Sequence, residues 1–156
     1  MKRTNGKSHC PINFGLEAFG DPWSLLVVRD IVYFGKCTFK DFLASEEGIA
    51  PSVLAARLAQ LEANGVLDRN PDPGDARRVV YTLTETGLAL IPILLEIASW
   101  SARVDPDADA PPEWIAAVNH DKAAITDLII DTVRAGGSIF VGPNSVIALL
   151  ATSSAR

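Results

Sequence analysis

Between Ala50 and Val80 the chain carries side chains suited to gripping a polyanion and reading a base edge. Arg57 and Gln60 lie about one helical turn apart, with Arg77 and Arg78 further along the same stretch. Guanidinium groups suit phosphate oxygens, and a primary amide can pair with the donor and acceptor edge of adenine. Gln60 is therefore the candidate adenine contact, and Arg57 meets either a phosphate or an internal acid. Ser52, Val53 and Ala56 share the exposed surface with them, while Lys36 and Lys40 stand upstream as further phosphate contacts. Arg77 and Arg78 reach phosphates or, in the plainer reading, balance Asp72 and Asp75 as a solvated cluster. A second chemistry belongs to Cys10. It opens a helical pattern beside His9 and near Lys7, a setting that favours the thiolate and its oxidation, the alternative being a merely structural thiol. Cys37 reads instead as a small buried hydrophobe.

Other chemistries lack their residues. Cys10 and Cys37 are too far apart for a CxxC pair, and His9 and His120 complete no metal-ligand spacing, so neither a metal nor a cofactor is expected. No nucleophile and base, phosphate loop or carboxylate pair stands out, so no catalytic residue is assigned and no enzyme is expected.

The candidate residues need elements to hold them. Leu54, Leu58 and Leu61 recur at helical spacing, which gives a helix over 51–63 one apolar face and leaves Ser52, Ala56, Arg57 and Gln60 elsewhere. Pro51 suits the first helical position, and Asn64-Gly65 supplies the stop. Val66 to Asn70 alternates, Asp72-Pro73-Gly74-Asp75 matches a type II turn, and Val79 to Thr84 alternates again. Helix, stop and basic hairpin form a winged helix-turn-helix, in which the helix enters the major groove and the hairpin reaches phosphates. The plainer reading of the stretch is a helix packed on a small sheet, and the alternative function is a winged-helix dimer without specific DNA readout, serving as a protein-interaction or ligand-binding module.

Residues 1–9 are polar and expected to be flexible. A short helix over 12–19 follows Cys10-Pro11, and a second runs from Pro22 to Phe34 with Asp21 as its cap. Thr38 to Asp41 has the pattern of a capping box and opens the first helix of the motif, with a turn over 45–49. After the hairpin, a helical pattern extends to Val104 and is apolar nearly all round, so a second subunit is its expected cover. Pro92 should bend this helix or mark its true start. Residues 105–112 have linker composition, and Glu113 to Arg134 reads as one amphipathic helix. Ser138 to Val141 reads as a short strand and Ser145 to Ala151 as a last helix. Trp114, Trp100 and that last helix line a small-molecule effector pocket or extend the dimer interface. The expected fold is mainly α with a small β-hairpin wing (α+β). It divides into a 10–104 domain, a 105–112 linker and a 113–156 helical extension.

Composition agrees with a globular protein, at 48% hydrophobic and 21% charged residues. The longest greasy stretch, Leu88 to Trp100, is broken by Pro92 and Glu96, so no membrane span is expected; nor is a secretory signal, and the cytoplasm is the expected location. The net charge is −5, but residues 1–83 hold ten basic and ten acidic side chains and residues 84–156 hold four and nine. The deficit thus lies away from the candidate interface, and the phosphate contribution there should be modest and salt-sensitive.

Taken together, these positions resemble the HxlR-type winged helix-turn-helix transcriptional regulators of bacteria over about residues 10–104. The resemblance rests on Cys10-Pro11, Gly20, Trp23, Leu26, Arg29-Asp30, Phe39, Gly48-Ile49 and Pro51. It continues through Leu54, Arg57-Leu58, Leu61-Glu62, Gly65, Arg69, Arg78, Tyr81, Leu83-Thr84-Glu85-x-Gly87, Pro92 and Trp100. It implies a homodimer on a pseudo-palindromic operator in double-stranded DNA, with the first helix and the helix after Gly87 forming the interface. It also likens Cys10 to the N-terminal cysteine that some members use to sense oxidants or electrophiles. The recognition helix departs from the family pattern in lacking a basic residue just after its proline.

Overall fold

The computed structural model describes residues 9–153, so the expectation for residues 1–8, Lys7 included, lies outside the described residues. The chain forms two compact units. One comprises residues up to Ile31 together with Lys36–Gly87, and the other Val32–Gly35 together with Leu88–Arg156.

The first unit begins with α1 (Pro11–Phe19) and α2 (Ser24–Phe34), whose last turn belongs to the second unit. α2 starts two residues later than expected. The Asp21 carboxylate accepts from the N–H of Trp23 at 2.9 Å and of Ser24 at 3.0 Å, which holds Pro22 and Trp23 in a turn ahead of the helix. α3 (Phe39–Leu43) carries the expected capping box. The Thr38 hydroxyl accepts from the Asp41 N–H, and the Asp41 carboxylate accepts from the Thr38 N–H at 3.0 Å. The next turn passes through Gly48 at φ +66°, in the left-handed region that favours glycine. It delivers the chain to α4 (Pro51–Ala63), which spans the expected residues.

Leu54, Leu58 and Leu61 on α4 are buried with Phe42 of α3 and with Val27 and Val28 of α2. The last carbonyls of α4 are closed through Gly65 at φ +68°, and the Val66 N–H donates to the Leu61 carbonyl at 2.9 Å. The hairpin then pairs β1 (Leu67–Asp72) with β2 (Asp75–Leu83), setting Leu67 opposite Leu83 and Arg69 opposite Tyr81. Both strands reach nearer the tip than the alternation suggested. The tip is not a type II turn, because Gly74 does not take a positive φ. Instead the Asp72 carboxylate accepts the Gly74 N–H at 2.8 Å, and the ladder shifts register between Pro71 and Asp72. The hairpin is tied back where the Tyr81 N–H donates to the Cys37 carbonyl at 2.7 Å and the Tyr81 ring packs on Phe42.

The second unit is helical. After the short α5 (Glu85–Leu88), which bridges the division, the backbone turns at Ala89–Leu90 and restarts as α6 (Ile91–Val104). Pro92 thus marks a true helix start, where its missing N–H costs nothing. Residues 85–104 together have the length and hydropathy of a membrane span by composition alone. Ile91, Leu94 and Leu95 are nevertheless buried in the protein.

The expected single helix over 113–134 is two, α7 (Pro112–His120) and α8 (Lys122–Arg134). Asp121 breaks it by taking an extended φ of −141° and accepting the Ala124 N–H at 3.0 Å as the cap of α8. Residues 138–141 are not a strand. The N–H groups of Ile139 and Phe140 donate to the carbonyls of Val32 and Tyr33 at 2.9 and 3.0 Å, satisfying the end of a helix rather than a ladder. α9 (Val146–Ser153) follows. Trp114 is buried edge-on against Phe140, while Trp100 is 60% exposed on α6.

Candidate nucleic-acid interface

The surface of α4 away from its leucines presents Ser52, Val53 and Ala56 to solvent, with Arg57 and Gln60 half-buried along one flank. The Arg57 guanidinium is engaged on both sides. Its Nη1 lies 3.3 Å from the Asp21 carboxylate and donates to Oε1 of Gln60 at 2.7 Å. Of the two roles expected for Arg57, the internal acid is the partner seen here. Partial burial pushes the Asp21 carboxyl up, but the Ser24 hydroxyl, two backbone N–H groups and Arg57 bring it below its ordinary value.

Behind α4, a charged cluster secures the turn of the motif. Asp30, 2% exposed, accepts from Arg29 Nε at 3.0 Å and Nη2 at 2.6 Å on one oxygen, and from Lys36 Nζ at 3.1 Å and the Ser45 hydroxyl on the other. Arg29 also grips Glu47. Burial depresses the arginine, but Glu47 and Asp30 outweigh it and raise its pKa above the ordinary value. The Arg29 hydrogen bonds hold the Glu47 carboxyl down at about 2. Lys36, expected at phosphates, thus braces Asp30 and Ser45, whereas Lys40 is exposed on α3.

On the wing, Arg78 lies 3.3 Å from Asp72 and Arg77 3.4 Å from Asp75, both arginines being largely exposed. Such pairs contribute little to stability. Arg69, exposed on β1, adds a cation to the same hairpin.

The sequence marks Asp21 only as a helix cap and carries no signal that singles out Glu47. The adjacent Arg29-Asp30 pair was a signal for a charged cluster, but no spacing rule joins it to residue 47. Among the described residues no group of three or more His, Cys, Asp or Glu side chains is placed to hold a metal ion. Cys10 is exposed at the N-terminus of α1. Burial raises the pKa of the half-buried Cys37 thiol, with the Asp41 carboxylate adding to the shift.

Comparison with known proteins agrees with this architecture. An uncharacterised HTH-type transcriptional regulator of Mycobacterium bovis is 35% identical over 97 residues, covering 62% of this chain and 60% of that protein. The chain therefore spans about three fifths of that relative's length. The crystal structure of PA1607 superposes with a TM-score of 0.61 at 36% identity, covering 67% of this chain and 73% of that one. The redox regulator HypR in its oxidised form gives 0.54 at 27% identity over 65% of this chain and 100% of its own. A model of the HxlR-like helix-turn-helix family matches residues 18–108. The chain belongs to that family.

Proposed function

We propose that the protein is a homodimeric transcriptional regulator that binds a pseudo-palindromic operator with α4 in the major groove and the β1–β2 hairpin on the flanking backbone. The observation that carries this reading is α4 itself. It is anchored by three fully buried leucines, closed by Gly65 and followed by a hairpin bearing Arg69, Arg77 and Arg78, with its small-residue face open to solvent. Relatives named as HTH-type transcriptional regulators support it.

The dimer rests on apolar surface that the monomer leaves in water. On α6, Ile93, Ile97, Trp100 and Val104 recur on one stripe at 36–60% exposure, and on α1, Ile12 and Leu16 are 71% and 61% exposed. Side chains of this size seldom stand in rows on a monomer. A redox signal acting through the exposed Cys10 is the accompanying proposal, supported by the likeness to HypR.

Hydroxyl-radical footprinting on the DNA upstream of the protein's own gene tests the reading. Two protected patches are expected on one face of the duplex, roughly 34–36 Å apart. Uniform cleavage at saturating protein would contradict it.

A further inference from the structure

Arg57 and Gln60 sit together on the flank of α4, and their pairing fixes which way the amide points. A guanidinium has five donors and no acceptor, so the amide atom facing it must be the oxygen. Arg57 Nη1 donates to Gln60 Oε1 at 2.7 Å and is itself steadied by Asp21 Oδ2 at 3.3 Å. Asp21 is in turn immobilised by the N–H groups of Trp23 and Ser24 and by the Ser24 hydroxyl at 2.5 Å. The chain of contacts therefore runs from the start of α2 to the tip of a side chain on the recognition helix.

Reading adenine with two hydrogen bonds requires a glutamine to accept from N6 and donate to N7. Here the acceptor is held by a charged donor, a stronger bond than a neutral one. Oε1 keeps a second lone pair, but the guanidinium charge beside it disfavours a further N–H donor such as adenine N6, so the NH2 group is the better remaining contact. Guanine presents two acceptors, O6 and N7, to the major groove, and the nearby guanidinium charge favours the same edge.

We propose, resting on the DNA-binding reading above, that Asp21 is a positioning residue for base recognition. Through Arg57 it orients Gln60 as a donor, so that Gln60 selects guanine over adenine at one position of each half-site. This reverses the adenine preference expected from the residue type alone.

The test measures anisotropy with operator duplexes carrying guanine, adenine or 7-deazaguanine at each half-site position, for wild type, Gln60→Ala and Asp21→Asn. Asp21→Asn keeps a side-chain oxygen for the α2 cap and removes the charge that holds Arg57; Gln60→Ala leaves the cap untouched. Wild type should prefer guanine over adenine at one position by about 3- to 10-fold, the worth of a hydrogen bond, and lose about as much with 7-deazaguanine. Gln60→Ala should level that position, and Asp21→Asn should narrow the preference while circular dichroism shows the protein still folded; base preference is a readout that a purely structural role for Asp21 would not move. A Gln60-dependent preference for adenine, or a full guanine preference in Asp21→Asn, would overturn the proposal while leaving operator binding intact. Equal affinity for every duplex in wild type would instead overturn the DNA-reading role itself.

Discussion

The Arg29 guanidinium clasps the Glu47 carboxylate with both of its terminal nitrogens, Nη2 lying 3.1 Å from Oε2. The pair joins α2 to the turn that leads into α4, so the aim of the recognition helix depends on a charge contact as well as on its leucines.

That dependence has a definite pH range. Glu47 is held at about 2 against an ordinary value of 4.5, so its contribution is complete above pH 4.5 and is lost as pH falls from there towards 2. Its side chain is 35% exposed, and solvent screening limits the effect to about 0.5–1 kcal/mol. Glu47→Gln should lower stability by that amount at pH 7 and less at pH 3. Urea denaturation at the two pH values checks the difference, and an equal loss at both would exclude the ion pair as the cause.

Two glycines, Gly65 after the end of α4 and Gly87 within α5, should respond differently to alanine. At Gly65 an added Cβ meets nothing within 4 Å, so Gly65→Ala costs only the positive φ, about 1–2 kcal/mol. At Gly87 the Cβ would lie 2.3 Å from the Val66 carbonyl oxygen, which is backbone and cannot swing aside. Gly87→Ala should therefore be the more destabilising in thermal melts.

The two thiols should separate by reactivity. Cys10 is exposed, whereas burial and Asp41 raise the Cys37 pKa and deplete its thiolate. At pH 7.5 iodoacetamide should label Cys10 well before Cys37, as read by mass spectrometry. Cys10→Ser should leave reduced DNA affinity intact and remove its response to mild oxidant. A Cys10→Ser protein that still responds like wild type would exclude Cys10 as the sensor.

Trp100 tests the dimer. It is 60% exposed on the α6 stripe, and Trp100→Glu would place a charge in the proposed interface without disturbing the buried Leu94 and Leu95. Light scattering should show a shift from dimer to monomer, with at least about a 10-fold weaker association and unchanged helicity by circular dichroism. A wild type that is monomeric at micromolar concentration would refute the interface.

Much of this architecture was legible in the sequence because strong local rules governed it. The Leu54, Leu58, Leu61 ladder with Pro51 and Gly65 gave α4 its limits, and the Thr38–Asp41 box gave α3 its start. Departures came where a side chain or a distant backbone competed with pattern. Asp121 looked like a polar position within one long helix, but its carboxylate caps a new one. Ile139 and Phe140 looked like a strand, yet their N–H groups close the end of α2, a long-range partner that no local rule supplies. The site residues were recognisable by type, but their pairing was not. Whether Arg57 faces Asp21 or a phosphate depends on how α2 lies against α4, which periodicity does not encode.

The most direct measurement is fluorescence anisotropy of the reduced protein with the DNA upstream of its own gene and with a scrambled duplex, at low and near-physiological salt. Tighter binding to the upstream DNA that persists at the higher salt is the predicted result, since base contacts outlast the phosphate contribution. Equal binding to both duplexes that disappears with salt would contradict specific regulation by this chain.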